Sequence, residues 1–474
     1  MKQVEIEAAP LEKLASLLGP DRAALLMSTA ERARSLLDGV IVWNVNSTAL
    51  GGGVAEMLEG LLAYGHGARV DTRWLVLDGD PPFFAITKAL HNALHGFLDD
   101  RQGFSSADHA HYERVSESNL EELERLIRPG DIVLLHDPQT AGLINGLRRH
   151  GAHVVWRSHI GRDEPNAVTE IAWEFLRRYV EDADALVFSR REYVPDWLAP
   201  HRVRIIKPSI DPFTTKNREL YDVEVSEVLG EVGLVSGAPD RGVVKYTRRD
   251  GMPGVLRPQS SLLSGTTPPP FDAPLVLQVS RWDRLKDMEG VLRAFAAHVA
   301  PANPDAQLML AGPDVSAVSD DPEGAEILAA CRIAWADLPA EARARCHLAT
   351  LPMDDADENA LIVNALQRHA TVVVQKSIAE GFGLTLMEAM WKGRPVVASA
   401  VGGLQEQATD GVEGLLVPDP SDLAGFGERI RRLLDDAGLR ERMGKAGRDR
   451  VREEFLGDRH LIQWVELFGD LIDH

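Results

Sequence analysis

The feature that most constrains the fold is a rhythm of short, unbroken apolar runs separated by helix-length sequence. The runs fall at residues 40–43, 73–77, 131–135, 153–156 and 185–188, and the series resumes at 275–279, 307–310, 371–374 and 395–398. Runs without polar alternation suit strands buried on both faces, and the spacing suits crossover helices. Each half of the chain therefore predicts a parallel, doubly wound sheet. Leucines at helical spacing over residues 10–38, interrupted at Gly19-Pro20, predict two short helices. Residues 213–272 break the rhythm with glycine, proline and charge and are expected to form an irregular insertion and linker. The expected organisation is a Rossmann-like domain over 1–212, that insertion, a second Rossmann-like domain over 273–450, and a helix over 451–474 packing back on the first domain. Ligands of such sheets bind at the strand ends, so the two domains are expected to face a central cleft.

Composition narrows the partners. The 474 residues, 45% hydrophobic and 26% charged, supply material for more than one core. A net charge of −21, from 51 basic and 72 acidic residues, argues against nucleic acid, whose phosphates call for a basic surface. Cys331 and Cys346 make neither a metal-ligand pattern nor a disulfide framework and are expected as buried, reduced thiols. Glu5, Glu7, Glu12 and Asp21 interrupt the start of the chain, leaving no signal-peptide core. No stretch approaches the roughly 20 apolar residues of a membrane span. A cytoplasmic location without membrane association is expected.

The most informative segment runs from Glu380 to Gly393. The strand at 371–374 leads into a loop holding Glu380, and a helix begins near Gly383. The free amides and positive dipole end of that helix, at Gly383, Leu384 and Thr385, suit a phosphate. Glu388 falls one to two turns in, and Gly393 followed by Pro395 ends the helix. Directly after the strand at 275–279 stand Arg281 and Lys286, two cations on one loop. Such a pair suits a diphosphate leaving group whose charge grows as a glycosidic bond breaks, although a surface loop paired with Asp283 or Asp287 fits the same residues. Gly51, Gly52 and Gly53 join a strand to a helix but match neither standard nucleotide-binding glycine pattern. His136 and His159 each follow a strand, which favours a binding role at the strand ends. Thr87, Lys88, His91, Asn92 and His95 share one face of a helix and suit hydrogen bonding to a sugar, or a solvated face. No metal is expected: His109 and His111 lack companions at ligand spacing.

Glu380 and Glu388 in this glycine-containing frame resemble the paired glutamates of the GT-B fold, family 4 retaining glycosyltransferases. The resemblance implies that Glu380 contacts the transferred sugar and Glu388 the nucleotide ribose. It implies too that Arg281 and Lys286 grip the diphosphate, that His159 lies against the donor sugar, and that Gly52 and Gly53 lie near the donor phosphates. Lys88, His91, Asn92 and His136 become candidate acceptor contacts. Residues 42–49 and 51–58, His136-Asp137-Pro138-Gln139, Trp156-Arg157-Ser158-His159 and residues 208–212 are similar to the branch that joins glucose from a nucleotide donor to free glucose, giving trehalose. The first domain is then the acceptor domain and the second the nucleotide-sugar donor domain. The partners are a nucleotide sugar and a small sugar acceptor, with a homodimer as a further expectation of the resemblance and no cofactor. Transfer to another small sugar or polyol, a trehalose phosphorylase, and a non-catalytic nucleotide-sugar binding protein remain alternatives.

Overall fold

Valine, leucine and isoleucine crowd the short runs, and parallel strands form where the rhythm predicts them. The structure, a computed structural model, describes residues 1–49, 52–98, 103–239, 242–249, 251–259, 262–265, 267–315 and 323–473. The chain divides into two units, one of Met1–Ile210, Glu380–Phe382 and Phe455–His474, the other of Asp211–Ala379 and Gly383–Glu454.

Among the described residues, the sheet of the first unit holds β1 (Lys2–Val4), β2 (Val42–Asn46), β3 (Thr72–Val76), β4 (Ile132–His136), β5 (His153–Ser158), β6 (Ala185–Phe188) and β7 (Val203–Ile205). Their order is β1-β3-β2-β4-β5-β6-β7, parallel throughout except for β1 against β3. Asp131 ties β2 to β4, its carboxylate accepting from the Ile41 amide and the Trp43 indole at 3.1 Å each. The helices Leu11–Ala15 and Pro20–Leu36 break at Gly19, with Pro20 in the first turn where its missing N–H costs nothing. The helix Gly457–Ile472 packs on Pro20–Leu36, burying Trp464, Leu467 and Phe468. Beside it Arg22 forks onto the buried Asp458 at 2.8 to 3.1 Å.

The second unit carries a hairpin of β8 (Lys245–Thr247) and β9 (Pro253–Val255). Its parallel sheet consists of β10 (Leu275–Val279), β11 (Gln307–Pro313), β12 (Cys346–Leu351), β13 (Val372–Gln375), β14 (Val396–Ser399) and β15 (Gly414–Val417), in the order β12-β11-β10-β13-β14-β15. The segment expected as an irregular insertion over 213–272 is instead built into this unit. Its helix Asp222–Glu231 buries Val225, Val228 and Leu229 and packs on the helix Ala356–His369. Its arginines, which read as linker charge in the sequence, pair with the acidic start of that same helix: Arg248 with Asp355, Arg249 with Asp357 and Arg257 with Glu358. The units meet in sequence at Ile210 and Asp211, two residues before the expected boundary. Both cysteines are buried, and burial pushes each thiol up to about 12.

In both sheets the order reverses once: between β2 and β4 in the first unit and between β10 and β13 in the second. Loops leave such a pair in opposite directions, which opens a crevice at the carboxyl ends of the strands. The second crevice is bordered by the helix Leu384–Trp391. Gly393, at φ 69°, ends that helix, and on Ala437–Glu454 a Cβ at Gly444 would lie 2.1 Å from the Gly393 carbonyl oxygen. Only hydrogen fits there. Gly444→Ala is expected to lower stability by about 1–3 kcal/mol through forced displacement of this contact. The denaturant midpoint measures it, and an unchanged midpoint would contradict the packing described.

Candidate functional site

At the reversal of the first sheet, Asn44 on β2 and His136 on β4 face each other. The Nε2 of His136 lies 3.1 Å from the Asn44 Oδ1, and its Nδ1 lies 3.0 Å from the Nε2 of His159. Both rings are buried, and burial, reinforced by the Arg157 guanidinium, pulls His136 down to about 3 and His159 well below its ordinary value. Neutral imidazoles each carry one N–H, so this geometry has His159 donating to His136 and His136 donating to Asn44. His136, expected as an acceptor contact, thus has both ring nitrogens engaged inside the protein and stands behind His159.

Asp137 follows at φ 63°, a backbone state uncommon for a side chain with a Cβ, and its Oδ1 accepts the His159 amide at 2.7 Å. Burial raises this carboxyl to about 7. Arg157, on β5 and fully buried, donates to the Nε2 of His460 at 2.9 Å, and the Nδ1 of His460 lies 2.8 Å from the Ser209 hydroxyl. The orientation of His159 is therefore supported from the strand on one side and from Asp137 on the other.

The loop after β5 gathers further expected residues. The Tyr193 hydroxyl lies 2.9 Å from the Glu380 carbonyl and 2.8 Å from the Gly381 carbonyl. A Cβ on Gly381 would stand 2.6 Å from the His159 carbonyl oxygen, so glycine is required for the backbone after Glu380 to pack against His159. The helix Pro81–Leu94, capped by Asp80, ends against this loop, and the Nδ1 of His95 lies 3.0 Å from the Gly161 carbonyl. Thr87 and His95 turn inward, whereas Lys88, His91 and Asn92 are part-exposed. The shared polar face predicted for this helix is thus divided between interior and surface. Gly52 is the N-cap of the helix Gly53–Gly67 and makes no side-chain cap, while Gly51 lies outside the described residues.

In the second unit the helix Leu384–Trp391 starts at Gly383, which takes the left-handed conformation at φ 83° and leaves the first turn without a side-chain cap. Thr385 donates its hydroxyl to the Gln375 Oε1 at 3.2 Å, and Gln407 donates to the Gly383 carbonyl at 3.1 Å. Glu388, 1% exposed, receives Lys216 at 3.1 Å on one oxygen and Gln367 at 3.4 Å on the other. Across the reversal, Gln278 of β10 donates to the Lys286 carbonyl at 2.9 Å and accepts the Lys376 amide at 3.1 Å. Lys376 itself pairs with Asp287, a left-handed residue at φ 46° that caps the next helix. Arg281 stands 3.7 Å from Asp283, whose own carboxylate accepts the Leu285 amide. Arg281, Lys286, Gly383, Leu384, Thr385 and Glu388 all belong to this unit, while Glu380, His159 and His136 belong to the other.

Two family models match the chain: trehalose synthase, N-terminal domain, over residues 44–195, and glycosyl transferases group 1, over residues 355–450. The trehalose synthase of Thermococcus litoralis is 33% identical over 465 residues, covering 98% of this chain and 97% of its own. The chain belongs to the trehalose synthase family. It is a nucleotide-sugar-dependent glycosyltransferase with the GT-B fold. A trehalose phosphorylase of Pleurotus pulmonarius is more distant, at 24% identity over 89% of this chain and 56% of its own. Among solved structures, a UDP-forming alpha,alpha-trehalose-phosphate synthase from Burkholderia xenovorans in complex with glucose-6-phosphate shares the fold, with a TM-score of 0.64 at 16% identity over 92% of this chain and all of that one.

Sequence reasoning missed Lys216, Gln367, Tyr193 and Arg157 as parts of these sites. Lys216 lay in a segment read as linker, and Gln367 in a helix with no motif. Arg157 stood within a matched motif, but nothing in the sequence marks a fully buried arginine. Among the described residues, no group of three or more His, Cys, Asp or Glu side chains is arranged to hold a metal ion, and no helix is long and apolar enough to cross a membrane.

The buried histidines set a pH dependence. An unfolded His136 takes up its proton near 6.5 and the folded one only near 3, so the stability it contributes is complete above pH 6.5 and is lost on acidification. His159 and His460, held well below 6.5 by burial, and His347 and His369, held at about 4, act in the same sense. Asp137, raised from 3.8 to about 7, acts in the opposite sense and is outnumbered. The denaturant midpoint is expected to fall from pH 7 to pH 5, with about 2 kcal/mol arising from His136 alone. His136→Gln should flatten that slope, and a midpoint that rises on acidification would contradict the neutral network.

Proposed function

We propose that this glycosyltransferase takes glucose from a nucleoside diphosphate glucose and joins it to the anomeric hydroxyl of free glucose, giving α,α-trehalose with retention. The observation that carries this reading is the end-to-end match with enzymes named for trehalose synthesis, in a chain that keeps Glu380, Glu388, Arg281, Lys286 and His159 together in their motifs.

In this reading Arg281 and Lys286 meet the diphosphate, with the first-turn amides of Gly383, Leu384 and Thr385 and the backbone at Gly52 and Gly53 also serving the donor. Their charge stabilises the leaving group most when its bond to glucose is nearly broken. Glu388 takes the ribose. Glu380 and His159 orient the transferred glucose. A neutral His159 suits that place, because it forms hydrogen bonds without opposing the positive charge that grows at the anomeric carbon. Lys88, His91 and Asn92 serve the acceptor, with His136 holding His159 from behind. As the bond from the anomeric carbon to the diphosphate oxygen breaks, the acceptor oxygen bonds to that carbon on the same face. Its proton passes to an oxygen of the departing diphosphate. No side chain forms a covalent intermediate, and the two cations take the part that a divalent metal plays elsewhere.

Incubation with ADP- or UDP-glucose and glucose in the presence of EDTA should yield an α,α-linked disaccharide by proton NMR. Glu380→Ala should lower the rate about 100-fold or more. A product formed only from glucose 1-phosphate would replace this reading with a phosphorylase. Loss of activity in EDTA, restored by a divalent cation, would overturn the metal-free diphosphate site.

A further inference from the structure

The helices Pro20–Leu36, Gly53–Gly67 and Gly457–Ile472 do not close completely on the first sheet. They leave a cavity of about 90 Å³ beside β2, β4 and β5, and all its lining residues belong to the first unit. Its wall is almost entirely carbon, from side chains such as Ala30, Ala33, Leu58, Leu62, Trp464 and Phe468. Three polar residues reach it from the sheet: Asn44, His136 and Arg157. Asn44 and His136 are bonded to each other at 3.1 Å. Arg157 is less fully provided for. Its Nη1 donates to His460 and its Nη2 to the Ile206 carbonyl at 3.3 Å, but its Nε meets no acceptor among the described residues. The side chain is fully buried, and its guanidinium lies 5.3 Å from the Trp464 ring.

A buried cation with an unmet N–H is costly, and the surroundings compensate it only in part. Burial pulls Arg157 down to about 9; Asp137 attracts its charge and Arg459 repels it. Asp137 is itself raised to about 7 by burial, and no Asp or Glu lines the cavity among the described residues. A water molecule needs two to four polar partners, which this apolar wall does not supply. A short alkyl chain ending in a carboxylate meets both features, its carbons against the wall and its charge beside the guanidinium. An apolar cavity of about 150 Å³ holds benzene, so 90 Å³ takes roughly four or five non-hydrogen atoms. We propose that this cavity is a binding site for a small monocarboxylate, whose oxygen accepts from the Arg157 Nε and whose alkyl chain lies against the helix side chains. Apart from His136, none of the lining residues has a part in the transfer reaction proposed above.

Calorimetric titration of the full chain with sodium propionate at pH 7 should show one saturable site with a Kd of about 1 mM or tighter. Propionamide, the neutral molecule of the same shape, should bind about 10-fold or more weakly, and the cationic 1-propylamine should not bind. Ala33→Leu fills the cavity from the helix Pro20–Leu36 and should abolish propionate binding while circular dichroism shows the fold retained. Arg157→Met should lose the preference for propionate over propionamide. If that variant does not fold, the comparison of the three small molecules on the intact protein and the Ala33→Leu variant still decide the matter. Propionate binding that survives Ala33→Leu, or that UDP displaces, would put the anion at another site and overturn the assignment. So would equal binding of propionate and propionamide, or the absence of both a saturable heat and a rise in the denaturant midpoint with propionate.

Discussion

In each sheet the chain departs from one interior strand, β2 or β10, in one direction and later resumes on that strand's other side, and both sites depend on this reversal. Parallel strands send their carboxyl ends the same way, so connections on the two sides of a reversal diverge and leave backbone groups facing outward. In the first unit the pair that borders the gap is β2 and β4, which bring Asn44 and His136 together. In the second it is β10 and β13, bridged by Gln278 reaching the Lys376 amide. The residues assigned to chemistry stand on the loops that follow: His159 beyond β5, Arg281 and Lys286 beyond β10, and Glu388 on the helix beyond β13.

Burial of polar groups is the second constraint, and the surroundings of His159 in the first unit and of Glu388 in the second meet it differently. The first relies on neutrality: His136, His159 and His460 are held uncharged by burial, and Arg157, buried beside them and donating to His460 and the Ile206 carbonyl, makes a positive histidine still less favourable. The second relies on pairing: Glu388 with Lys216, Lys376 with Asp287, Arg257 with Glu358. Pairing preserves a charge that a ligand can use, whereas neutrality preserves hydrogen bonding beside a centre that becomes cationic. Each choice matches the part of the reaction proposed for that unit.

The parallel strands were legible because runs such as 185–188 and 395–398 are apolar on both faces and have no competing reading as amphipathic helices. Lys2–Val4 and Val203–Ile205 were not, since three-residue edge strands carry polar residues and show no run. The segment over 213–272 misled for a different reason. Its arginines and glycines look like solvated linker until the acidic helix start at Asp355, Asp357 and Glu358 is placed beside them, more than a hundred residues away in sequence for each of Arg248, Arg249 and Arg257.

By itself the sequence determined the class of fold, the two doubly wound sheets, and the local frames that hold Glu380, Glu388, Arg281, Lys286 and His159. Those depend on periodicity, glycine positions and spacing, all of which are local in the chain. Only the tertiary structure decided that His136 stands behind His159, that Tyr193 holds the backbone at Glu380, and that Lys216 pairs with Glu388. Each of these joins residues 23 to 187 positions apart. Their contacts arise from burial, and which side chains burial brings together is a property of packed elements that no local pattern records.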